Sequence, residues 1–155
     1  MPDGYGVEQA TAFVSWQEIE EKLRDSRHYW LVTTRPGGGP HVVPRWGLWL
    51  DGAFWYDGSP ETVHVRNLNA DPRCVLHLED GQRATIIEGR SLACDPIQGE
   101  LRERLAAEFA RKYASDYAPE PDAWSDDIAG GMRRIQPEKV LAWNEFPKDL
   151  TRYRF

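Results

Sequence analysis

The residues with the most pointed chemistry lie in Ser59-Pro60-Glu61-Thr62-Val63-His64-Val65-Arg66. Ser59 suits a helix N-cap, and Pro60 suits the first helical turn, where its missing N–H costs nothing. A helix starting there points unpaired N–H groups and the positive end of its dipole outward. Thr62, His64 and Arg66 follow within its first two turns. Such a helix start is a natural seat for a phosphate. Arg66 would give a permanent charge, Thr62 a neutral hydrogen bond and His64 a donor whose charge depends on pH. The plainer alternative is a capped helix that packs Val63 and Leu68 into a core.

Other chemistries find less support. The histidines, His28, His41, His64 and His77, form no Cys/His pairs at metal-ligand spacing, so no metal site is expected. A haem needs only one ligand and stays open as an alternative. Gly37-Gly38-Gly39 is followed by no Gly-Lys-Ser/Thr, and no G-x-G-x-x-G is present, so the run is a turn between strands. Cys74 and Cys94 form no C-x-x-C pair and cannot supply a disulfide framework, which suggests reduced thiols and a cytoplasmic protein. No Ser-His-Asp, Cys-His or paired-carboxylate order is legible, and no catalytic residue is assigned. That fits hydride chemistry, where a cofactor carries the reaction and the protein supplies position and electrostatics.

The elements that must hold these residues can be read from turns and periodicity. Asp51-Gly52 is a type I′ hairpin signal between the aromatic flanks Trp46–Leu50 and Ala53–Tyr56. The chain is expected to form strands at His28–Thr34, His41–Leu50, Arg73–Leu78, Arg83–Leu92, Met132–Trp143 and Leu150–Phe155. Trp46 and Trp49 are an odd distance apart and cannot share a strand face. Ser15 and Glu18 form a capping box for a helix through Trp16, Ile19 and Leu23 that ends near Asp25, with Val14 and Ile19 as its staple. A second helix is expected from Asp95-Pro96, with the stripe Leu101, Leu105, Phe109 and Tyr113. Residues 115–131 read as a long loop anchored by Tyr117, Trp124 and Ile128, either a lid over a pocket or a surface crossing.

With 155 residues, one domain is expected over 1–155. Residues 1–27 form an arm and helix, 28–92 barrel strands with the candidate cofactor helix, 93–131 a helix and long loop, and 132–155 closing strands. The net charge of -6 argues against a nucleic-acid binder. The acidic excess lies mostly outside residues 28–92, which hold six arginines and seven carboxylates. No basic leader or long apolar run appears, so neither a signal peptide nor a membrane span is expected.

Several of these segments resemble one family. Thr62, His64, Arg66, Leu68 and Asp71-Pro72 are similar to the phosphate segment of the split-barrel flavoproteins related to pyridoxamine 5′-phosphate oxidase, in particular the flavin/deazaflavin oxidoreductases. That family usually has lysine where His64 stands. Pro44-Arg45-Trp46-Gly47 through Asp51-Gly52 resembles its cofactor-facing strand and turn. Arg134 to Trp143 and Thr151 to Phe155 resemble its closing strands. The resemblance implies a mostly β fold with flanking helices, an FMN-binding type of split β-barrel of about six or seven strands. It implies a homodimer with cofactor sites between subunits. It also implies that Pro44, Arg45, Trp46 and Gly47, with Ser59, Thr62, His64 and Arg66, contact the cofactor, and that Trp143 and Arg152 are cofactor or subunit contacts. The expected function is flavin- or deazaflavin-dependent oxidoreduction of a small organic molecule, with coenzyme F-420 preferred and FMN the runner-up. A non-catalytic flavin- or haem-binding split barrel is the alternative.

Overall fold

A computed structural model describes residues 11–114, 116–120, 122–124 and 131–155. Helix α1 (Trp16–Asp25) leads into β1 (Tyr29–Thr34), β2 (Pro40–Arg45), β3 (Leu48–Leu50) and β4 (Ala53–Asp57). Then come α2 (Val63–Ala70), β5 (Arg73–His77), β6 (Thr85–Ala93), α3 (Gly99–Tyr113), β7 (Met132–Ala142) and β8 (Thr151–Arg154). All strand pairs are antiparallel, in the order β2-β1-β5-β6-β7-β4-β3, with β8 added on β7.

This order forces curvature. β2 and β3 stand at opposite ends of the path, yet only Trp46 and Gly47 lie between them. Three Cα steps of 3.8 Å span at most about 11 Å. Seven strands laid flat at about 4.8 Å spacing would separate the ends by roughly 29 Å. The sheet therefore curls until its edges nearly meet, and the opening between β2 and β3 is the split of a half-closed barrel. A β-bulge between β6 and β7 sharpens the bend at Glu88/Gly89.

The interior is filled by Leu31, Trp49, Phe54, Tyr56, Leu76, Ile87, Ile135 and Val140, with Ile19 and Leu23 of α1 closing one end. A second core lies outside the barrel wall. There Leu105, Phe109 and Tyr113 of α3, with Trp124, pack on Leu48, Ala53 and Trp55. β4 thus buries both faces, Phe54 and Tyr56 inward, Ala53 and Trp55 outward.

Several expectations are met closely. Asp51 and Gly52 have φ of 52° and 72°, as a type I′ turn requires. Ser15 Oγ accepts from the Glu18 N–H at 3.2 Å, and Val14 and Ile19 are buried in one core. The Glu18 side chain does not reach back to Ser15; it accepts from Asn144 at 2.8 Å. The α3 stripe buries Leu105, Phe109 and Tyr113.

Others need correction. The expected strand His41–Leu50 is two strands, giving eight in all among the described residues rather than six or seven. The helix expected from Ser59 starts at Val63, with Thr62 as N-cap. The Ser59 carbonyl accepts from the Thr62 N–H at 3.0 Å and its hydroxyl at 2.8 Å, so residues 59–62 close a turn first. The helix expected from Asp95-Pro96 begins at Gly99. Cys94 N–H bonds to Met132 O and Ile97 N–H to Trp124 O, which keeps that stretch out of a helix. Ile128 and the first ten residues lie outside the described residues, as do other parts of the long segment 115–131. No helix among the described residues is long and apolar enough to cross a membrane.

Candidate functional site

Pro44, Arg45 and Trp46 lie at the split, where β2 ends. With His28, Asp57, Phe109 and Tyr117 they line a cleft of about 490 Å³. The barrel supplies one wall and the β6–β7 connection the other. Tyr117 donates to the Asp57 carboxylate at 2.6 Å, and the Arg45 guanidinium lies 3.8 Å from the same carboxylate. Trp46 is 36% exposed and stacks on Tyr113 at 5.4 Å, whereas Trp49 is buried inside the barrel. The two tryptophans do face opposite ways.

Gly47 backs the cleft. A Cβ there would strike the Phe54 ring and the Trp55 carbonyl. Only glycine lets the chain cross so close beneath β4, which is why one expected strand becomes two.

Behind Arg45 lie buried polar atoms without partners. His41, Val43 and Arg45 alternate along β2 on its less exposed face. Arg45 sits over the Tyr56 ring at 5.8 Å, and the His64 ring lies 6.2 Å from that ring. Across from Tyr56 in the ladder is Arg133, 4% exposed, held by Ser91 at 3.2 Å and Asn69 at 3.0 Å. His41 Nδ1, Arg45 Nε and His64 Nε2 are all buried and make no hydrogen bond. Buried polar atoms rarely stay unpaired without a reason. Gly58 leaves room beside them, since a Cβ there would come within 3.1 Å of His64 Nε2. α2 starts here with no side-chain cap, so its first N–H groups add to the positive field. Cations and unpaired donors fit an anion.

The structure separates the residues of the expected cluster. His64 is buried and Arg66 exposed, because positions two apart on a helix do not share a face. Thr62 is half-buried and Ser59 exposed at the turn. Trp143 packs against Phe146 at 5.5 Å, and Arg152 is exposed on β8 opposite Leu141. Both lie at the far end of β7, roughly 30 Å along the strand from Arg133, so one chain does not bring them to this cleft.

Burial, then Arg45, His41 and Arg133, lower the His64 pKa from 6.5 to about 4. It is neutral at pH 7. The unfolded chain binds this proton first as pH falls below 6.5, so His64's share of stability is full above that value and is lost toward pH 4. The loss should be on the order of 2–3 kcal/mol. His64→Gln should flatten the acid limb of stability measured by urea unfolding at pH 7 and 4.5. An unchanged difference between the two pH values would show that His64 is not buried in this way.

His41 was within reach of sequence reasoning, since it stands on Arg45's side of the same strand. Tyr117 stands in the segment that reads as a lid or surface crossing, whereas Arg133, Asp57 and Phe109 give no such signal, because pairing and packing over long sequence distances bring them in.

The family model for pyridoxamine 5′-phosphate oxidase matches residues 15–144. The chain belongs to that family. Solved structures agree on the fold. A conserved hypothetical protein from Mycobacterium tuberculosis is 26% identical, with a TM-score of 0.68 over 88% of this chain and 89% of that one. An F420 reductase is 20% identical, with a TM-score of 0.56 over 77% and 94%. An FAD-binding protein from Mesorhizobium loti is 22% identical, with a TM-score of 0.62 over 82% and 90%. Haem proteins also match, including the haem storage protein HutZ from Vibrio cholerae, at 17% identity and a TM-score of 0.61 over 81% and 90%. No curated protein matches in sequence. Family model and neighbours together show a split barrel of the pyridoxamine 5′-phosphate oxidase family.

Proposed function

We propose that this family member is a flavin- or deazaflavin-dependent oxidoreductase acting on a small organic molecule, with coenzyme F-420 preferred over FMN. The observation that carries the reading is the buried, unpartnered His64 Nε2 facing the Arg45 and Arg133 side of the barrel. In this reading the cofactor phosphate sits against His41, Arg45 and His64, and Arg133 strengthens the field from behind. The flat ring lies in the adjoining cleft against Trp46. A bound flavin or deazaflavin supplies the hydride chemistry. The chain's own residues grip the phosphate, orient the ring and keep water from the buried side. The F-420 preference rests on the Pro44–Gly52 strand and the Thr151–Phe155 end, and an F420 reductase among the structural neighbours supports it.

A haem reading draws on the same free His64 nitrogen and on the haem-binding neighbours. Two guanidiniums beside that nitrogen favour an anion over a ferric ion. Among the described residues no cluster of three metal-ligating side chains occurs.

Titration with F-420, FMN and riboflavin tests the reading. Riboflavin has FMN's ring but no phosphate, so it should bind at least ~10-fold more weakly than FMN, the worth of a charge-assisted hydrogen bond. Equal affinity for FMN and riboflavin, or a Soret band in the purified protein, would remove the phosphate seat. A homodimer belongs to this reading, because Trp143 and Arg152 reach a cofactor only across a subunit boundary. Val42, Leu92 and Phe155 give it exposed apolar surface, at 48%, 44% and 66% exposure. Sedimentation should give twice the chain mass, and a monomer that still binds cofactor tightly would rule out shared sites.

A further inference from the structure

Gly47 joins the two edges of the sheet without a strand partner of its own. Its peptide groups are held instead from α3. The Gly47 N–H donates to the Tyr113 hydroxyl at 3.0 Å, and that hydroxyl lies 2.9 Å from the Gly47 carbonyl. Lys112 Nζ donates to the same carbonyl at 3.3 Å and to the Tyr29 hydroxyl at 2.6 Å. Tyr113 is fully buried, and Trp46 stacks on its ring.

We propose that Lys112 and Tyr113 are positioning residues, which clamp the Gly47 peptide from outside the barrel and so fix where Arg45 and Trp46 stand in the cleft. The importance of that placement rests on the cofactor reading above. The clamp does the work a neighbouring strand does elsewhere. It satisfies two backbone groups that would otherwise be buried unpaired, and it does so from the β6–β7 connection rather than from the sheet.

Lys112 also makes the clamp sensitive to pH. Its own helix presents Glu108 and Arg111. Arg24, Asp25 and Arg27 face it from the end of α1 and the residues beyond, and the Tyr29 and Tyr113 rings lie 4.8 and 5.6 Å from its Nζ. Burial leads, Arg111 and Arg27 push the same way, Asp25 and Glu108 oppose, and the ammonium's pKa falls from 10.5 to about 8. On losing a proton the amine keeps two N–H donors but its bonds to Tyr29 and Gly47 lose their charge assistance, which weakens most the longer one to Gly47. Global stability moves the other way. Between pH 8 and 10.5 the unfolded chain binds more protons, so stability rises with pH while the clamp loosens. That opposition separates a positioning role from a merely structural one.

The test follows the Gly47 amide by ¹⁵N NMR from pH 7 to 9.5, with melting temperature and FMN titration alongside. In the wild type the Gly47 resonance should titrate near pH 8. FMN affinity should fall roughly three- to tenfold between pH 7 and 9, the range of one weakened hydrogen bond. Lys112→Met should abolish the titration and bring the weaker affinity to all pH values. Lys112→Arg, which keeps its charge, should restore the pH 7 affinity and remove the pH dependence. Tyr113→Phe should weaken FMN at every pH and shift the Trp46 indole signal. A Gly47 resonance blind to Lys112, or FMN affinity unchanged in Lys112→Met and Tyr113→Phe, would overturn the clamp. Should Lys112→Met fail to fold, the wild-type series and Lys112→Arg carry the same comparison. A wild type that binds neither FMN nor F-420 while Gly47 still titrates would support the clamp and remove the cofactor reading instead.

Discussion

Arg45→Ala is expected to weaken FMN and F-420 binding by roughly tenfold to more than a hundredfold, the range for losing a charge-assisted hydrogen bond in a partly enclosed site. The guanidinium joins both halves of the site. It lines the cleft, bonds to the Asp57 carbonyl, lies over Tyr56 and carries an unpaired Nε on the His64 side. Riboflavin should lose much less, because it has no phosphate for the guanidinium to meet. Arg66→Ala is the matched control. Its side chain is exposed on the other face of α2, and an exposed charge contributes about 1 kcal/mol or less, so the loss should stay below about fivefold. The measurement is a titration of each variant with FMN and riboflavin, with far-ultraviolet circular dichroism as the folding control. If Arg45→Ala binds FMN within twofold of wild type while Arg66→Ala does not, the phosphate sits at the exposed helix face and not behind β2.

Gly47→Ala should be strongly damaging, and among the described glycines only Gly89 would meet a comparable clash. The added carbon meets the Phe54 ring on one side and the Trp55 carbonyl on the other. The ring is at 0% exposure in the middle of the barrel core, and the carbonyl belongs to a strand buried on both faces, so neither can yield cheaply. Overpacking of this kind costs about 1–3 kcal/mol and more where backbone must move. The variant should lower the urea midpoint clearly and also displace Arg45 and Trp46, weakening FMN. Gly81→Ala gives the comparison, since nothing lies within 4 Å of its added carbon. Equal midpoints for the two variants would mean that the close crossing beneath β4 is not as tight as described.

What the sequence made legible follows from range. The Asp51-Gly52 turn, the Ser15 cap and the α3 stripe depend on neighbours within a few residues, and they form as their residue types require. The start of α2 is ambiguous in the sequence because Ser59 and Thr62 both favour caps, and the choice between them is made by which carbonyl closes the turn. The break after Arg45 was hidden for another reason. Trp46-Gly47-Leu48 has ordinary strand composition, and only the contact with Phe54 and the hold from Tyr113 show that the chain leaves one edge and joins the other. The site shows the same division. Pro44, Arg45 and Trp46 were legible as a segment, and His64 as a residue type. That His64 is buried and unpaired, with Arg133 across the ladder from Tyr56, is a property of the closed barrel alone.

The two walls of the cleft have different architectural status. Arg45 and Asp57 sit on the strands that also carry His41 and Tyr56, so a change there disturbs the cleft and the buried donors at once. Phe109 and Tyr117 belong to a connection attached to the outside of the sheet. That outer wall is nonetheless tied to the inner one, because Tyr117 donates to the Asp57 carboxylate and Phe109 is buried against Tyr113. The freedom to diversify is therefore narrow: an engineer reshaping the cleft would vary Tyr117 and leave Phe109, which holds the second core together, in place.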